Sequence, residues 1–203
     1  MYSQAELKAE GLDDFRVFLM HVWAFLNLPK PTRVQLDIAK WLQHGPRRGI
    51  LQAFRGVGKS WITVSFVLWI LLNDPQKKIM VVSASQQLAD DFSKFAKQLI
   101  HGMPVLQHLA PRLDQRNSAI SFDVGPALAS KDPSVKSAGI TGQITGTRAD
   151  VIIADDIEIP KNSQTHLMRE RLAELVKEFD AILKPGVRII YLGTPQTEQS
   201  LYP

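Results

Sequence analysis

The sequence predicts an α/β fold, a three-layer sandwich with helices on both faces of a mostly parallel central sheet. Three observations carry that expectation. "KIMVVSAS", "VIIADD" and "VRIIYLGTP" are continuous apolar runs of strand length, the pattern of strands buried on both faces. Segments with apolar residues three and four apart alternate with them. The third observation is "WITVSFVLWILL", residues 61–72, the most apolar run of the chain, a buried helix that follows directly on a glycine-rich turn.

In chain order, residues 5–28 form an amphipathic helical segment through Leu12, Phe15, Leu19, Val22, Trp23 and Leu26, and "LPKP" stops it. The chain therefore divides into an N-terminal helical segment, 1–30, and a core, 31–203. A helix from Thr32 to His44 places Val34, Ile38, Trp41 and Leu42 on one face; "HGPRRG" ends it and leads to a strand at Ile50–Phe54. The apolar helix after Lys59 closes at "NDP", the first buried strand follows, and Ser85–His101 forms the next amphipathic helix. Between residues 103 and 149, "AISFDV" and "SVKSAGI" read as short strands and "GITGQITGTRAD" as a glycine–threonine loop. "VIIADD" is the second buried strand. Gln164–Leu183 is a charged helix with Leu172, Leu175, Val176, Phe179 and Leu183 inward; "KPG" breaks it before the third strand.

Composition narrows the function classes. With 45% apolar residues the chain is globular, and with no cysteine it has neither disulfides nor cysteine-ligated zinc. The longest apolar run, twelve residues, is short of the ~20 that cross a bilayer. "MYSQAELKAE" has no apolar export region, so a cytosolic location is expected. A net charge of +4 suits an anionic partner without specifying one.

The chemistry concentrates in two places. "AFRGVGKS", residues 53–60, lies between a strand and a helix. Gly56 and Gly58 allow backbone N–H groups around Val57 to converge on phosphate oxygens, Lys59 reaches the β- and γ-phosphates, and the Ser60 hydroxyl ligates Mg²⁺. Ala53 replaces the first glycine of such a loop, which is tolerable at negative φ with the methyl turned from the phosphate. Arg55 would face the γ-phosphate in such a cradle, with a solvated charge as its plainer alternative. A plain glycine turn is the simpler alternative, and the strand–loop–helix context argues against it. The second place is the end of "VIIADDIE", where Asp155 and Asp156 emerge at a carboxyl edge, the position at which parallel sheets bind ligands. Asp155 suits Mg²⁺ opposite Ser60, and an adjacent carboxylate suits the base that deprotonates water. Asp156 has the position and Glu158 the longer reach; Asp156 is favoured, and both stay open.

"FRGVGKS", "VVSAS", "GITGQITGTRAD", "VIIADDIE" and "YLGTPQTEQSLY", in that order, resemble the large terminase subunit of tailed bacteriophages, in its DNA maturase form from T7-like phages. The resemblance implies a P-loop NTPase of the additional-strand catalytic glutamate, RecA-like type. It implies a Mg²⁺–ATP motor that pumps double-stranded DNA into a procapsid, as a homo-oligomeric ring on the portal protein with a small terminase subunit. The implied site of action is the host bacterial cytoplasm. By position, Lys59 and Ser60 become the phosphate and Mg²⁺ contacts, Arg55 the loop arginine, and Gly193-Thr194-Pro195 the coupling motif. Gln35 matches an adenine-contacting glutamine, and Thr32-Arg-Val-Gln35 is equally a helix capping box. Where many terminases carry Arg-Gly, this chain has Thr145-Gly146; Arg148 is then the candidate to act on a neighbouring subunit's ATP, against a solvated or structural role. The family's C-terminal nuclease of RNase H type has no counterpart here, so no DNA cleavage is expected of this chain alone. DNA contacts should fall on phosphates, with Arg47-Arg48 and Lys131–Lys136 as candidates or as ordinary wet surface. The alternatives are a helicase-like DNA remodeller and an ATP-binding assembly module with little turnover, the latter favoured by Ala53 and Asp156.

Overall fold

The computed structural model of the chain describes residues 3–142, 144, 146–181, 183–194 and 200. Six strands form one sheet in the order β1-β6-β5-β2-β4-β3. β1 (Arg48–Gln52), β6 (Leu183–Gly193), β5 (Ala149–Asp155), β2 (Ile79–Ser83) and β4 (Val135–Gly139) run parallel, and β3 (Ser121–Phe122) closes one edge antiparallel to β4. The mostly parallel sandwich expected from the sequence is the observed fold.

One face of the sheet carries the larger apolar core. α4 (Lys59–Asn73) crosses it, flanked by α2 (Phe15–Phe25), α3 (Arg33–His44) and α5 (Gln86–Gly102). Ten of the fifteen side chains of α4 are buried, Ile62 to Leu68 without a break, which is why the middle of its sequence shows no polar face. Phe66 sits 5.1 Å from the Phe15 ring and 5.9 Å from Trp69, centroid to centroid. The opposite face is covered by α7 (His166–Ala181), whose Leu172 and Phe179 bury Ile152, Ala154 and Ile189. Two short elements, a 3-10 turn at Pro104–Leu109 and α6 (Pro160–Ser163), complete the connections.

The N-terminal segment is two helices rather than one. α1 (Gln4–Ala9) ends before a left-handed Gly11, and Asp14 caps α2 by accepting the Arg16 N–H at 2.8 Å. The bend is fastened to α4, because the Leu12 carbonyl accepts from Trp69 Nε1 at 2.9 Å. Leu7, Leu12, Phe15 and Leu19 share the core of α4, so this segment packs as part of the same body. β6 begins at Leu183, earlier than expected, and "KPG" lies within it where the register against β5 jumps between Ala149 and Val151. Arg188 ties β6 to α3: its guanidinium donates to the carbonyls of Trp41, Leu42 and Pro46, satisfying the helix C-terminus. Among the described residues no helix is long and apolar enough to cross a membrane.

Candidate phosphate-binding site

β1 delivers the chain into the loop at Ala53, whose N–H donates to Gly193 O at 3.1 Å on β6. Ala53 has no positive φ and its methyl packs on the core, which explains why alanine serves where a glycine is usual. Gly56 and Gly58 are left-handed, at φ 92° and 85°, a conformation that side chains resist. Gly58 caps α4 with no side-chain hydrogen bond, so the first amides of that helix stay directed at the loop's hollow. Gln35 performs two tasks. Its Oε1 accepts the Thr32 N–H at 2.8 Å, completing the capping box, and its Nε2 donates to Val57 O at 2.9 Å, clamping the loop to α3. Arg55 is exposed, and Ser60 lines the adjoining cleft.

Lys59 is buried, and its ammonium meets three different segments. It donates to Thr194 Oγ1 at 2.8 Å, lies 3.4 Å from Ala53 O, and pairs with Asp156 Oδ2 at 3.5 Å. The sheet order explains the convergence: β6 lies between β1, which feeds the loop, and β5, which carries the acids.

Asp155 ends β5 at 8% exposure with its Oδ1 lacking a hydrogen-bond partner. Burial, then the neighbouring Asp156, pushes its carboxyl up to about 7, against the pull of Lys59. Asp156 leaves the strand with φ 45°, a left-handed turn that costs a non-glycine residue about 1–3 kcal/mol and is concentrated at functional positions. Its N–H donates to Leu192 O at 2.8 Å, which holds that turn against β6. The two acids and Ser60 line a cleft of about 290 Å³ between α4 and α5, with Trp61, Ser83 and Phe92 among its walls.

A Mg²⁺ ion fits this corner. A buried carboxylate with an unpartnered oxygen faces the same cleft as a hydroxyl, and hard oxygen donors are the ligands that ion takes. Among the described residues no three His, Cys, Asp or Glu side chains converge as a metal cage. Ser60 and Asp155 are the residues that would hold the ion.

Other candidates fall elsewhere. Glu158 is 1% exposed and accepts the Ser200 hydroxyl at 2.7 Å, whereas Asp156 is the acid that meets Lys59. Arg148 is exposed, with its N–H on Asp132 Oδ1 at 3.0 Å. It precedes β5, while Asp155 ends it, so the length of a seven-residue strand, about 20 Å, separates Arg148 from its own chain's acids. Gly193 and Thr194 stand at the site; Pro195 and Thr145 lie outside the described residues. Sequence reasoning missed Ser83 and Trp61. Ser83 was detectable, since it ends a buried parallel strand and pairs in register with Asp155.

Comparison with known proteins places this geometry in a family. The family profile described as "Terminase large subunit, T4likevirus-type, N-terminal" matches residues 50–178. The terminase large subunit of Enterobacteria phage T3 is 58% identical over 192 residues, which are 93% of this chain and 33% of that protein. The chain thus spans about a third of that relative's length. Among solved structures, the HK97 bacteriophage large terminase superposes with a TM-score of 0.55 at 15% identity, over 91% of this chain and 38% of that one. A mutant ATPase domain of the Thermus phage P74-26 large terminase gives 0.53 at 15% identity, over 87% and 70%. At that identity the two structures speak for the fold alone.

Proposed function

The chain belongs to the terminase large-subunit family, and from that premise we propose that it is the ATP-hydrolysing part of a motor that drives double-stranded DNA into a viral procapsid. The observation that carries the reading is the meeting of Lys59, on the phosphate loop, with Asp156, 3.5 Å away across an intervening strand.

In this reading the left-handed loop around Gly56 and Gly58 and the start of α4 hold the phosphates of ATP. Lys59 balances charge on the terminal phosphates, and exposed Arg55 adds to it from the solvent side. Ser60 and Asp155 would hold Mg²⁺, which would supply neutralisation of phosphate charge. Asp156, strained and partly open to the cleft, orients the attacking water and takes its proton. Gln35 keeps the loop in place through Val57, and contact with adenine is compatible with its remaining amide hydrogen. Arg148, remote from its own chain's acids, would serve a neighbouring subunit. That role belongs with a ring on the portal protein, assisted by a small terminase subunit in the host cytoplasm. The name of the T3 relative supports the packaging half of the reading.

Turnover of ATP by the full-length protein tests it. Lys59→Ala and Asp156→Asn should each lower the rate by about a hundredfold or more, the usual worth of a positioned base or phosphate contact. Parental rates in both variants would refute the site.

A further inference from the structure

The end of β6 touches each working part of the phosphate site. Leu192 O accepts the Asp156 N–H at 2.8 Å, and Gly193 O accepts the Ala53 N–H at 3.1 Å. Thr194 Oγ1 then accepts from Lys59 Nζ at 2.8 Å and donates to Ala53 O at 3.1 Å. Three successive residues therefore engage the acid turn, the mouth of the loop and the lysine. Only the last does so through a side chain.

The hydroxyl's polarity is fixed by these contacts. An ammonium can only donate, so the hydroxyl turns a lone pair to Lys59, and the Ala53 carbonyl lies within reach of its proton. Lys59 depends on that lone pair. Its other two neighbours, Ala53 O at 3.4 Å and Asp156 Oδ2 at 3.5 Å, lie beyond the ordinary range for a strong N–H···O bond. The ammonium is buried, where a missing acceptor is costly, and it ends a four-carbon stem with many rotamers.

We infer that Thr194 is a positioning residue for Lys59: its hydroxyl fixes the ammonium at the midpoint between the loop and Asp156. The inference deepens the ATP-hydrolysing reading above and rests on it for its kinetic consequence. It assigns the hydroxyl, rather than the fold of the turn, as the working group. Threonine then has two imperfect replacements that separate the possibilities. Valine keeps its volume and removes the hydroxyl, whereas serine keeps the hydroxyl and removes a methyl.

The test uses the full-length protein with Thr194→Val and Thr194→Ser, and two readouts. The first, without nucleotide, is the rate at which an amine-reactive reagent labels Lys59, followed by peptide mass spectrometry. The second is ATP turnover. Losing one hydrogen bond to a buried charge predicts that Thr194→Val raises labelling about tenfold and lowers turnover by a similar factor. Thr194→Ser should stay near the parent in both. Parental labelling in Thr194→Val, or equal impairment in Thr194→Ser, overturns the inference and leaves the ATPase reading standing if Lys59→Ala still abolishes turnover. Labelling that follows the prediction in a protein that hydrolyses no ATP would uphold the positioning role and sink the proposed function instead.

Discussion

Replacing Asp155 with asparagine should stabilise the metal-free protein above neutral pH while abolishing its ATPase activity. Asp155 is held at 8% exposure, and its carboxyl rises from 3.8 to about 7 because burial, reinforced by Asp156, outweighs the attraction of Lys59. A rise of that size corresponds to on the order of 4 kcal/mol. Between about pH 4 and 7 the folded chain keeps a proton at Asp155 that the unfolded chain has released. The contribution is therefore full below that window and lost as the pH rises through it.

Asparagine has nearly the same shape and does not titrate, so its variant lacks this slope. Its amide is buried in a place where one oxygen finds no partner, a penalty of about 1–3 kcal/mol at every pH. The variant should be the less stable protein near pH 4 and the more stable near pH 8, by about 1–3 kcal/mol. Urea denaturation of both proteins in chelator, at half-unit pH steps, measures the difference directly. A difference that stays constant from pH 4 to 8 would refute the reasoning, because it would mean that Asp155 titrates alike in the folded and unfolded chain. Loss of turnover in the same variant would place the strain where the chemistry is, the familiar opposition of stability and activity.

Two further expectations follow from the same contacts. Arg188→Ala uncovers the carbonyls of Trp41 and Leu42 at the end of α3, and should cost about 2–4 kcal/mol in urea denaturation, with Arg188→Lys recovering only part; a cost below about 0.5 kcal/mol would refute the anchoring role. Glu158→Gln should leave turnover within about threefold of the parent while Asp156→Asn loses about a hundredfold, since Glu158 is engaged by Ser200 and Asp156 by Lys59; the reverse ranking would make Glu158 the base.

The three central strands were legible because each carries a run of buried apolar residues; Ile79 to Ser83 is buried throughout, and Ile189, Ile190 and Leu192 keep the run in β6 despite Arg188. β1 is different. Ile50 on its outer face is 43% exposed, so "RGILQ" carries little apolar signal and was betrayed by the loop that follows it. The break between α1 and α2 escaped notice because Leu12 and Phe15 keep the spacing of one helix while the chain turns between them. Motif spelling singled out Lys59, Ser60, Asp155 and Asp156 as candidates, and the fold brings Lys59 to Asp156 and sets the other two on the same cleft. No spelling encodes the bond between Lys59 and Thr194, 135 residues apart, which exists only because β6 inserts between β1 and β5. Arg148 shows the converse limit: a residue seven positions from a site residue along a strand is at the far edge of the sheet.

The insertion of β6 has a mechanical consequence. The loop and the acids stand on strands that do not touch, so any change in their separation must displace or reshape the strand between them. Its lower part is bound to α3 through Arg188 and its tip to Ala53, Asp156 and Lys59. α3 in turn clamps the loop through Gln35. The loop, α3 and β6 thus close a circuit of hydrogen bonds around Lys59. Asp156 is the weak member of that circuit, since its left-handed turn stores strain and is held to β6 through a backbone bond. Because that bond ties the Asp156 turn to the β6 tip, a shift of the tip would redirect the carboxylate that faces Lys59.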